Sequence, residues 1–147
     1  MIYTQDRSRL RNYYRQVYQK ALAGETLQPL EELIADVIRE HSEYHSLFAS
    51  GTELLDDDFA PEDGQINPWL HLGMHIALRE QVGTDRPAGI ADITRSLLLA
   101  HRDGHQVEHM MFECLGEALW TAQRDNTPPD DSAYLECLKK LAQSRDG

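Results

Sequence analysis

The sequence predicts an all-α fold: a single-domain helical bundle of five to six helices over residues 1–147. Apolar residues recur at helical spacing along nearly the whole chain, and no run alternates as a half-buried strand would. Glycine, proline and acidic breaks divide it into segments of ordinary helix length. At 147 residues the chain can bury a sizeable core.

The first helix is expected from about Gln5 to Ala23, capped by Thr4, with Leu10, Tyr14, Val17 and Ala21 as its buried stripe and Gly24 at its end. The second is expected from about Pro29 to Ala49, stopped by Gly51. Its stripe is Leu30, Leu33, Ile34, Val37, His41, Tyr44, His45 and Phe48. An acidic, turn-rich loop of about 51–66 follows, long enough to be a candidate lid or shield. Asn67 and Pro68 form a cap and first-turn pair for a third helix ending near Val82 and Gly83. Asp85 and Pro87 restart the chain for a fourth. Arg102-Asp103-Gly104 bends or breaks it, and a fifth continues to about Gln123. Thr127-Pro128-Pro129 is a loop before a last helix, roughly Ser132 to Ala142.

The formal net charge is −11 and the isoelectric point near 4.9. Long-range repulsion therefore opposes nucleic acid or an anionic membrane surface as main partner. Arg7, Arg9, Arg11 and Arg15 are the densest basic group and read as a solvated helix face. No basic start followed by an apolar run marks export, and no stretch is long enough to span a bilayer, so a cytoplasmic location is expected. A disulfide between the two cysteines, Cys114 and Cys137, is left open by the sequence, though nothing asks for one; Cys114 reads as a small core residue. Trp69, Trp120, Met110 and Met111 read as packing. The tyrosine-rich first helix offers a face for a homodimer.

The histidines carry the chemistry. There are seven: His41, His45, His71, His75, His101, His105 and His109. Each has another four residues away, the spacing that stacks side chains on one helix face. His41 and His45 fall inside the apolar stripe of the second helix. His71 and His75 share a sector of the third, which is apolar nearly all round and so expected to be central. His105 and His109 lie near Phe112 and Leu119. These six are expected to converge on one interior, with His101 turned away by the break at Gly104.

Buried imidazoles must recover their lost hydrogen bonds. A transition metal achieves this for several at once, and imidazole suits zinc, iron, copper and nickel; iron or zinc is favoured here. The predicted metal ligands are His41, His45, His71, His75, His105 and His109, with Glu108 and Glu113 as candidate carboxylates. In an enzyme, one of those glutamates would serve as general base; no reaction or small-molecule substrate is assigned. Arg79, one turn past His75, implies either a nearby anion or a pair with a glutamate. The alternative reading is a non-enzymatic interaction or scaffold bundle, its histidines held in a structural network with Tyr13, Tyr14, Tyr18 or Tyr44.

The blocks His41-Ser42-Glu43-Tyr44-His45, Asn67-Pro68-Trp69-Leu70-His71-Leu72 with His75, and His105-Gln106-Val107-Glu108-His109-Met110-Met111 with Cys114-Leu115 occur in this order. Together they resemble an uncharacterised bacterial family, the domain-of-unknown-function family numbered 1841, over nearly the whole chain. The resemblance implies a helical fold and a shared histidine cluster, and no activity. Ser42 stands where that family usually has proline, and His101 lies outside its pattern. A looser likeness is to hemerythrin-type bundles, whose sites mix histidines with carboxylates; Arg79 stands where such a carboxylate is expected.

Overall fold

Helix starts and stops set the frame. Asn67 Oδ1 accepts hydrogen bonds from the backbone N–H groups of Trp69 and Leu70, at 3.0 and 3.2 Å, and Pro68 occupies the first turn behind it. Gly24, at φ +75°, ends the first helix through the Gly24 N–H to Ala21 and Glu25 N–H to Lys20 bonds. Asp103 receives the N–H groups of His105 and Gln106, directly after Arg102 turns left-handed at φ 60°. Each of these boundaries falls where the sequence puts it.

The computed structural model of the protein describes residues 2–49 and 67–144. Among them the fold is all-α: α1 (Ile2–Leu22), α2 (Pro29–Glu40), a 3-10 turn (Ser42–Tyr44), α3 (Ser46–Ala49), α4 (Pro68–Thr84), α5 (Ile90–His101), α6 (Gly104–Asp125) and α7 (Asp131–Ser144). Seven α-helices replace the expected five to six because the second helix is not continuous. Thr4 lies inside α1, which starts earlier than expected, and so does not cap it. The acidic stretch of about 51–66, and Gly51 as a stop signal, lie outside the described residues.

The chain forms two compact units, Met1–Ala77 and Leu78–Gly147, whose boundary falls within α4. The first has its own core: Tyr14 and Val17 of α1; Ile34, Ala35, Val37 and Ile38 of α2; Leu47 and Phe48 of α3; and Trp69, Leu72 and Ile76 of α4. The inward face of α1 follows the expected stripe at Tyr14, Val17 and Ala21 and departs from it at Leu10. Leu10 is 51% exposed, whereas Arg11 is 3% exposed with its guanidinium 5.4 Å from the centre of the Trp69 ring. A planar cation on an indole face buries well, so the arginine takes the place expected of the leucine. Glu31 ties α2 to its own start and to α1, accepting from the Gln28 N–H at 2.8 Å and from Lys20 Nζ at 2.9 Å. The Gln28 N–H first, and Lys20 second, hold its carboxyl below the usual range.

In the second unit α5, α6 and α7 bury Ile90, Leu97, Val107, Met111, Leu115 and Leu138. The Tyr134 hydroxyl donates to Gln81 Oε1 at 2.8 Å, and burial pushes it up to about 12. Cys114 and Cys137 form a disulfide that joins α6 to α7, with Cα atoms 5.7 Å apart. Residues 126–130 connect these two consecutive helices, and their packing brings the two cysteines within reach, which the residue spacing alone does not show. No helix among the described residues is long and apolar enough to cross a membrane. Trp120, read as core, is 60% exposed and has the Arg124 guanidinium over its ring at 4.9 Å.

The break after Glu40 yields a direct prediction. Ser42 opens the 3-10 turn, a first-turn position where proline is tolerated. Ser42→Pro therefore leaves the melting temperature unchanged or raised, whereas Asp36→Pro inside α2 costs about 3 kcal/mol or more. Thermal and denaturant unfolding of the two variants measure this; a Ser42→Pro variant as damaged as Asp36→Pro would mean that α2 runs on past His41.

Candidate metal centre

The site in the first unit begins at the end of α2. The last carbonyls of a helix have no partner within it. Here two imidazoles turn back onto them. His41 Nδ1 lies 2.7 Å from the Val37 carbonyl, and His45 Nε2 lies 2.8 Å from the Ile38 carbonyl. A carbonyl only accepts, so both nitrogens carry the proton. The consequence for His41 is decisive: its Nε2 bears the lone pair. Its backbone (φ −116°, ψ 65°) leaves the helix at that residue. His41 and His45 are thus not a co-facial pair one helical turn apart, as their spacing suggests. Capping of α2 by the two rings replaces the i, i+4 geometry.

His71 and His75 do keep it, on α4, with Nε2 atoms 3.2 Å apart. His75 is 0% exposed and His41 1%; His71 is half-buried. Ring centres lie 4.5 Å apart for His41 and His75, 5.2 Å for His41 and His71, and 4.9 Å for His71 and His75. One nitrogen from each of the three falls within 4.8 Å of the others. Tyr44, on the 3-10 turn, is hydrogen bonded through its hydroxyl to His71 Nδ1 at 2.9 Å and stacks parallel to His41. Burial first, then Glu43, raises the Tyr44 hydroxyl above its ordinary value, so it stays protonated.

This arrangement can hold a cation. Two imidazoles bonded to one zinc-like ion at about 2.0–2.1 Å place their nitrogens about 2.9–3.4 Å apart, depending on the bond angle. The 3.2 Å between His71 and His75 lies inside that window. The widest spacing allowed within the trio, 4.8 Å, leaves about 1.4 Å (4.8 − 3.4) to close around an ion. The Val37 carbonyl and the Tyr44 hydroxyl orient ligating histidines in the way outer partners do.

Each of the other predicted ligands has its own setting within its own unit. His45 is engaged at Ile38 and packs its ring 5.4 Å from that of Tyr18. In the second unit His105 and His109 stack on α6 with ring centres 4.4 Å apart, but both are exposed. The buried face of α6 carries Val107, Met111, Cys114, Leu115 and Ala122, which puts the histidine stripe out of register with it. Glu108 is held by Arg79 in a bidentate pair, Nε to Oε2 at 2.9 Å and a terminal nitrogen to Oε1 at 3.1 Å. That pair accounts for Arg79 without an anion. Glu113 is exposed. His101 ends α5, separated from α6 by the expected break. Tyr44 was one of several candidate hydroxyls in the sequence; only the 3-10 turn singles it out. A cavity of about 580 Å³ in the second unit is lined by the disulfide, Tyr134 and several carboxylates, and by none of the histidines.

The sequence model of a family described as a domain of unknown function, DUF1841, matches residues 6–140, and the chain belongs to that family. No curated protein and no solved structure matches it.

Tyr44→Phe isolates the contribution of the hydroxyl. Loss of a half-buried hydrogen bond is expected to cost about 1 kcal/mol in denaturant unfolding. An unchanged stability would mean that water replaces the phenol at His71.

Proposed function

We propose that this DUF1841 protein binds a transition-metal ion, zinc or iron, through His41, His71 and His75. The observation that carries the proposal is the meeting of three imidazoles from two chain segments in a buried place. The orientation of two of them is set by partners other than each other: His41 by a backbone carbonyl and His71 by a tyrosine. In such a site the ion supplies Lewis acidity at any position the protein does not fill. The chain's own residues bind and orient. Val37 keeps the His41 proton on Nδ1, Tyr44 fixes the His71 ring, and α4 holds His71 and His75 one turn apart.

A second reading also has an observation behind it. Ring nitrogens of His41, His45, His71 and His75 all make hydrogen bonds within the protein. On that reading the histidines are a structural network of a non-enzymatic interaction or scaffold protein, and chelators leave stability untouched.

Protein purified without a nickel column, then stripped and reloaded, separates the two. The metal proposal expects about one equivalent of bound ion per chain and a melting temperature that falls on chelation. It expects more than tenfold weaker binding in His71→Ala and His75→Ala. Parallel replacements at His45, His105, His109, Glu108 and Glu113 show which of the wider predicted set takes part. Substoichiometric metal after reloading, with identical melting curves, would leave the network reading in place.

A further inference from the structure

We infer that the His41–His71–His75 centre, once it holds its ion, takes a small anion as the ligand that completes it. The inference rests on the metal proposed above and adds the chemical class of what binds there. It starts from the charge of the donor set. Each of the three groups is a neutral imidazole; among the described residues no aspartate or glutamate joins them. The acidic residues beside His41 in the chain, Glu40 and Glu43, are both exposed, and Glu108 is held by Arg79 within the second unit. Three neutral ligands leave both positive charges of a divalent ion uncompensated.

Burial makes this matter. Two of the three rings are essentially inaccessible, His41 at 1% and His75 at 0%. A charge placed among groups so shielded from water is costly unless an opposite charge pairs with it. An anion bonded directly to the ion provides that pairing in the place where the effective dielectric is lowest. The net charge of −11 acts the other way, by repelling anions at long range. That repulsion comes from charges spread over the chain and is screened beyond about 8–10 Å at ordinary ionic strength. A direct bond of about 2 Å outweighs it.

Shape narrows the class further. His71 is half-buried and the other two rings are almost fully buried, which leaves little room around the ion. Compact anions such as azide or formate fit this description; bulky ones do not. In the binding step the anion displaces a water molecule from the ion, and no bond within the anion is broken.

Cobalt(II) is the probe, because its visible bands report coordination number and ligand exchange. The full-length protein is loaded with cobalt(II) and titrated with azide or formate, and in parallel with an arenesulfonate at equal ionic strength. The expected result is a saturable change of the cobalt bands with the small anions only. His71→Glu, which places one negative charge among the ligands, is expected to weaken anion binding at least tenfold. Cobalt bound stoichiometrically but indifferent to azide and formate would overturn this inference and leave the metal proposal standing. An equal response to the arenesulfonate would reduce it to ionic strength and overturn it too. Failure to bind cobalt at all would remove the metal proposal and this inference with it. The wild-type titration decides alone should the glutamate variant not fold.

Discussion

The 2.7 Å hydrogen bond from His41 Nδ1 to the Val37 carbonyl governs the first unit more than any other contact. It satisfies a helix-end carbonyl that α2 cannot satisfy itself, and so lets the helix stop at Glu40. It also settles the tautomer of a ring that is almost completely buried. With the proton committed to Nδ1, Nε2 is left as a lone pair. The backbone turn at His41 then carries the chain through the 3-10 turn, which places the Tyr44 ring parallel to the His41 ring and its hydroxyl on His71. A helix continued past Glu40 would send Tyr44 along the α2 axis instead.

The other half of the site comes from a helix that needs no such device. Asn67 and Pro68 start α4 at a defined residue, which fixes the phase of everything after them. Leu72 and Ile76 anchor it in the core of the first unit. His71 and His75, one turn apart, meet because helix geometry leaves them no alternative. The two halves differ in kind. On α4 the pairing is local and comes with the helix, whereas His41 reaches the pair only through tertiary packing.

That difference explains what could be read from the residues. Capping signals are local, so Asn67, Gly24 and the Arg102–Gly104 break were legible. The co-facial pairs on α4 and α6 were legible as well, since each depends only on a continuous helix. The end of α2 was not. Ser42, Glu43 and Tyr44 carry no strong helix breaker, and apolar periodicity continues through His45 to Phe48. The available signal was the proline usual at position 42 in the resembling family, a residue that the end of a helix accommodates and its middle does not. The inward turn of Arg11 in place of Leu10 was hidden because it depends on an indole more than fifty residues away in the chain. The exposed faces of Trp120, His105 and His109 were hidden because they depend on tertiary packing. Periodicity shows that a helix has an apolar side, but the true buried stripe of α6 depends on which neighbours cover it.

The metal and network readings part on how many lone pairs one particle can serve. A proton shared along the 3.2 Å line between His71 and His75 satisfies one donor and one acceptor. It leaves the choice of which ring donates almost balanced, because Tyr44 can give or take a hydrogen bond at His71 Nδ1. A third nitrogen, His41 Nε2, stands in the same group with its lone pair already assigned. Lone pairs gathered at this spacing repel one another unless something positive lies among them. A proton draws in two nitrogens, whereas a metal ion draws in three or four, with bonds long enough to keep the rings from colliding. Burial sharpens the contrast, since water cannot easily enter to relieve the repulsion. On the proposed reading, a multivalent cation serves these three nitrogens together where a shared proton serves two.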